Sequence, residues 1–128
     1  MTHVERLDPR AAAKISGAAW TRLRPLFLQV HHDLVACGAE VKSELTTIYV
    51  KYTRSSDERN APFAVVWIKK STELIVGVSA PADAVGSPWS SQLPGLQYAG
   101  LTAFLKVSDP SALPSDFRVI VQAAFDNV

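Results

Sequence analysis

The chain has 128 residues and a formal net charge of +1, with hydrophobic residues at 48% and charged residues at 20%. That length suits one domain, and the composition excludes wholesale disorder. Near-neutrality removes any global field that would mark a nucleic-acid or membrane-surface protein, and a single cysteine, Cys37, excludes an internal disulfide.

The opening MTHVERLDPR holds no hydrophobic run, so no secretory signal is expected. The aliphatic-aromatic stretch Ala64 to Ile68 falls far short of the about 20 residues that cross a bilayer. A soluble cytoplasmic protein without a membrane partner is the expectation.

Asp8-Pro9 reads as a helix cap followed by proline at the first helical position. The run Ala11-Ala12-Ala13-Lys14 favours helix until Ser16-Gly17 weakens it. A second start falls near Trp20, and Pro25 kinks that helix or opens a new one. Leu26, Phe27, Val30, Leu34 and Cys37 then share one helical stripe, with Gly38 as the expected stop. The N-terminal helical region is thus placed over about residues 8–38.

The period then changes. Ile48, Val50 and Tyr52 alternate with Tyr49, Lys51 and Thr53, which is strand spacing. Phe63 to Ile68 and Leu74 to Val78, joined through Lys69-Lys70-Ser71-Thr72, predict an antiparallel hairpin. Residues 81–95 follow, a long connection with three prolines, two glycines and one charge. Leu101 to Val107 predicts a last strand, and Ser115-Asp116 starts a closing helix with Phe117, Ile120, Val121 and Ala124 on its apolar face. Helices, then strands, then a helix predict an α+β domain over residues 1–128. It would hold a twisted antiparallel sheet of about four to five strands over about 40–107, helices packed on one face, and a C-terminal helix at about 115–127.

This succession resembles the small bacterial domains of unknown function, of putative transport-protein type, grouped around the YdhG-like, frataxin-related fold. The residues that carry the resemblance are Ile48-Tyr49-Val50-Lys51-Tyr52, the hairpin Phe63-Ala64-Val65-Val66-Trp67 with Glu73-Leu74-Ile75-Val76-Gly77-Val78, and Phe104-Leu105-Lys106-Val107 running through Ser108-Asp109-Pro110 and Leu113-Pro114 into the last helix. It covers roughly residues 26–128 and has no catalytic signature. The resemblance implies an antiparallel sheet with helices on one face. It also implies a choice of roles: iron chaperone, nucleic-acid-associated module, or partner-binding accessory domain.

An iron role needs clustered carboxylates. Up to Cys37 the acids are Glu5, Asp8 and Asp33 against Arg6, Arg10, Lys14, Arg22 and Arg24, and that balance argues against it. In His31-His32-Asp33, adjacent side chains on a helix diverge by about 100°, so one imidazole flanks the core, the other is solvated, and no metal site is assigned. Cys37 belongs to the apolar stripe near a helix C-terminus and reads as a structural thiol. No G-x-S-x-G elbow and no phosphate-binding glycine motif occurs, while Glu40 and Glu44, each near a lysine, read as an exposed charge pair. No catalytic residue and no cofactor are assigned.

What remains is a surface. Burying a lysine is costly, so Tyr49 with Lys51, Trp67 with Lys69, and Phe104 with Lys106 should lie on the sheet face away from the helices. Three strands would then set an aromatic beside a cation, with Trp89 from the proline-rich connection as a lid over that face or an anchor to the core. The candidate binding residues are therefore Tyr49, Lys51, Trp67, Lys69, Trp89, Phe104 and Lys106. The expected role is a non-enzymatic binding module, engaging a protein or an anionic small molecule through this face and residues 81–95. The alternatives are a nucleic-acid-associated module binding weakly, or a small enzyme with an unrecognised site.

Overall fold

Asp8 caps the first helix, accepting a 2.9 Å hydrogen bond from the Arg10 backbone N–H, and Pro9 supplies a preset first-turn φ. In the computed structural model, which describes residues 7–46, 48–55, 60–68, 72–80, 89, 101–109, 111 and 113–128, that helix is α1 (Pro9–Ile15). Arg24 donates to the carbonyls of Ile15 and Gly17 just beyond it, satisfying groups that the helix end leaves open. A 3-10 turn (Ala18–Trp20) leads to α2 (Arg24–Val35), where Pro25 occupies the first turn. The proline therefore opens a helix and kinks none.

Five strands follow: β1 (Val41–Thr46), β2 (Tyr49–Ser55), β3 (Asn60–Trp67), β4 (Leu74–Val78) and β5 (Ala103–Val107). They pair in sequence order as one antiparallel meander, and α3 (Phe117–Asn127) closes the chain. The expected α+β class holds. Strand β1 is the addition: Val41-Lys42-Ser43-Glu44 reads as a charge pattern, yet it alternates across an edge. Glu44 pairs across to Lys51 on β2, whereas Glu40 lies outside the strand.

The sheet has two unlike faces. Val41, Val50, Tyr52, Ala64, Val66, Leu74, Val76, Val78, Ala103, Leu105 and Val107 join the helix residues Ala11, Ile15, Leu26, Phe27, Val30, Leu34, Phe117, Ile120, Val121 and Phe125 in the main core. The helices thus lie on one side.

One irregularity adjusts this alternation. The register shifts between Tyr52, opposite Ala64, and Thr53, opposite Pro62, so Phe63 is an extra residue in β3. Such a bulge puts two successive side chains on one side. Phe63 and Ala64 are both fully buried in the main core, and Phe63 meets Phe125 edge-on at 5.3 Å.

The C-terminal helix is fixed from two directions. Arg54 donates to the carbonyls of Phe125 and Val128 and sits 4.5 Å from the centre of the Phe125 ring. Gly38 lies so close to that ring that a Cβ would meet Phe125 Cζ at 2.6 Å. Gly38 was expected to end the second helix by its backbone freedom. The helix instead ends at Val35, capped at Ala36, and what Gly38 supplies is room for Phe125.

Candidate functional site

Strand register decides which of the expected residues meet. Glu44 lies opposite Lys51, Lys51 opposite Val65, Val65 opposite Gly77, and Gly77 opposite Phe104. The adjacent row runs Thr46, Tyr49, Trp67, Ile75, Lys106. Tyr49, Lys51, Trp67, Phe104 and Lys106 therefore share the face opposite the main core. The cost of burying lysine was the signal that placed them.

The aromatics on this face pack against each other. Trp67 contacts Tyr49 and Phe104, each at 6.0 Å between ring centres. Val65, Trp67 and Phe104 form a second small apolar cluster, flanked by Ile48, Tyr49, Ile75 and Leu101. Trp67 is only 4% exposed and Phe104 only 7%. These two rings are thus a supporting layer and offer little area for contact. Ile48 belongs to this cluster too, although strict alternation from Val50 would send it to the helix side; it precedes β2 and escapes that alternation.

Gly77 makes the packing possible. A Cβ there would meet Leu101 Cδ1 at 2.8 Å, Trp67 Cζ3 at 3.0 Å and Phe104 Cδ1 at 3.1 Å. Sequence reading missed Gly77, Val65, Ile75 and Leu101. A glycine inside an apolar strand run, where another group must approach closely, was the signal available.

Both lysines have carboxylate partners. Lys51 Nζ lies 3.9 Å from Glu44 and Lys106 Nζ lies 3.6 Å from Glu73. Glu73 Oε2 is buried and lacks a hydrogen-bond partner, so the Lys106 charge is its compensation. The face is thus an apolar patch edged by charges of both signs rather than a cationic surface. Lys69 lies outside the described residues, as does the 81–95 connection apart from Trp89.

Of the two places open to Trp89, lid over this face or anchor to the core, the structure has the second. It belongs to the main core, 9% exposed, with its ring stacked on Phe117 of α3 at 6.0 Å and 14°. It anchors to the helical layer because a large apolar ring gains more from a partly covered core than from solvent. Its buried Nε1–H has no hydrogen-bond partner among the described residues.

The other polar groups are structural. His31 is buried with Nδ1 2.7 Å from the Tyr52 hydroxyl, between the Phe27 and Tyr52 rings, while His32 is exposed. Burial pushes the Tyr52 hydroxyl well above its ordinary pKa, so it stays protonated. Asp33 is held by Gln29 and Arg118. Burial raises the Cys37 thiol to about 11, which keeps it a thiol at neutral pH. Among the described residues, no group of three His, Cys, Asp or Glu side chains could hold a metal ion.

No family model matches the sequence, and neither a curated protein nor a solved structure matches the chain. Among the described residues, no helix is long and apolar enough to cross a membrane.

Proposed function

We propose that the chain is a non-enzymatic binding domain that engages a protein partner across the sheet face opposite its main core. The observation that supports this reading is the shared row of Tyr49, Trp67, Ile75 and Lys106 beside Lys51 and Phe104, an apolar patch with a charged margin. Protein contact surfaces combine such an apolar centre with a polar rim. Tyr49, Lys51, Ile75 and Lys106 would make the contact, and Trp67 with Phe104 would hold them in place. Pairing of Lys51 and Lys106 with carboxylates favours a protein over an anionic small molecule or nucleic acid.

The likeness to YdhG-like, frataxin-related domains belongs to the same proposal, and it speaks to architecture; function has to be argued from the face itself. A cytoplasmic location is also part of it, supported by the lone thiol Cys37.

The test is photo-crosslinking in cells from positions 49 and 106, with the exposed Val119 of α3 as control. One common adduct from both sheet positions, absent from position 119 and lost in Lys51→Glu, is expected. Absence of that adduct, or its equal appearance from position 119, would overturn the reading. Oligonucleotide titrations at low salt are expected to be flat.

A further inference from the structure

The two margins of the sheet are finished differently. At the β1 margin the Leu45 N–H donates to Asp8 Oδ2 at 2.7 Å, its carbonyl accepts from Arg10 Nη2 at 3.0 Å, and the Val41 N–H donates to the Gly38 carbonyl at 3.3 Å. Strand β5 ends the sheet on the other side, with β4 as its neighbour and, among the described residues, no strand beyond it. An edge left uncovered is a template for pairing.

Backbone parity shows which groups β5 turns outward. The Ser79 N–H donates to the Phe63 carbonyl at 3.1 Å, so along β4 Gly77 turns its backbone groups to β3, and Val76 and Val78 turn theirs to β5. The 2.8 Å bond from the Thr102 N–H to the Val78 carbonyl agrees. Ala103, Leu105 and Val107, opposite Val78, Val76 and Leu74, therefore face β4, whereas Phe104 and Lys106 present N–H and C=O to the outside. Among the described residues these four groups meet no hydrogen-bond partner. Both side chains are engaged on the β4 side, Phe104 with Trp67 across Gly77 and Lys106 with Glu73 at 3.6 Å.

Strand β5 is complementary to itself in one register. Antiparallel pairing about a two-fold axis at Leu105 sets Phe104 of each copy opposite Lys106 of the other, and their outward groups make four bonds. Each lysine then lies beside an aromatic ring on the face opposite the main core, while Leu105 meets Leu105 on the core side. Moving the axis to Lys106 would set the two lysines opposite each other and use Ser108, whose carbonyl already accepts from Arg22. Moving it to Phe104 would use Thr102, whose N–H is already given to Val78. Shifts that exchange odd and even positions would set outward groups against inward ones.

We infer that β5 is a pairing edge for β5 of a second copy of this chain, which joins two five-stranded sheets into one of ten strands across a two-fold axis at Leu105. This edge is distinct from the sheet face assigned to a protein partner, and the purified chain alone suffices to test it.

The experiment is sedimentation velocity over a concentration series. The native chain is expected to dimerise with rising concentration, up to about 1 mM. Lys106→Pro removes an outward donor that β4 does not use and should weaken the dimer at least tenfold, with circular dichroism checking that the variant is folded. Lys42→Glu, at an exposed position on β1, should leave the dimer unchanged. A spin label on Lys42→Cys in a Cys37→Ala background reads the arrangement without the proline variant. Nine strand spacings separate β1 from its copy, so a label separation of roughly 40 Å is expected. A monomer at every concentration, a folded Lys106→Pro chain that dimerises as the native one does, a dimer weakened by Lys42→Glu, or a label separation of half that value or less would each overturn the inference.

Discussion

Trp67 on β3 and Phe104 on β5 touch across β4, their ring centres 6.0 Å apart over the bare backbone of Gly77. A methyl group at position 77 has no room, since it would come within 3.1 Å of both rings and of Leu101. Gly77→Ala should therefore lower stability by about 1–3 kcal/mol, because overpacking outweighs the roughly 0.5 kcal/mol that alanine gains in backbone entropy. Urea denaturation measures the loss, and tryptophan emission should shift as Trp67 is displaced. An unchanged or higher midpoint would show that the rings give way freely.

The buried His31–Tyr52 pair is expected to behave as a coupled unit. Tyr52→Phe removes the hydroxyl 2.7 Å from Nδ1 and should cost about 1–3 kcal/mol, the usual penalty for stranding a buried polar atom. Combined with His31→Leu, the loss should be smaller than the sum of the two single losses, because both polar partners have then gone. Strict additivity in a double-mutant cycle would mean that the contact carries no coupling.

The Asp8 carboxylate, which caps α1 and accepts from the Leu45 backbone N–H, sets an acid limit. Partial burial pushes the Asp8 carboxyl up, but hydrogen bonds from the Arg10 side chain and the Leu45 and Arg10 backbone, with the Arg10 charge, outweigh it and hold the group below its ordinary 3.8. The folded pKa is thus lower than the unfolded one, so the contribution is fully present above the unfolded value and is lost as pH falls through the folded value. Native chain and Asp8→Asn should differ by a constant amount, about 1 kcal/mol, above about pH 5. The gap should close below pH 3.8. Thermal melts across that range measure it, and a gap that widened in acid would reverse the assignment.

Much of this fold was legible because burial of charge is so costly. Lys51 and Lys106 alone fixed the orientation of β2 and β5, and the apolar spacing of Phe117, Ile120, Val121 and Ala124 fixed α3. Strand β1 escaped notice because an edge needs few apolar residues: Glu40 and Glu44, each near a lysine, read as an exposed charge pair until Val50 and Tyr52 supply a neighbour. The candidate face was legible in membership but not in exposure. Alternation states which side Trp67 takes, whereas its burial depends on Gly77 and Leu101, which come from a neighbouring strand and the residue run before β5. The choice for Trp89 between lid and core anchor stayed open for the same reason, since its stacking on Phe117 joins segments that no local pattern connects.

The unmatched residue in β3 works as a phase shifter. Across Phe63 the parity of the pairing changes, since Pro62 faces Thr53 whereas Ala64 faces Tyr52. Deleting Phe63 would put the two halves of β3 in step with β2 and take away the ring that meets Phe125 edge-on at 5.3 Å. The seam beneath α3 would lose that aromatic contact, while the Trp67–Phe104 layer on the opposite face would keep its own.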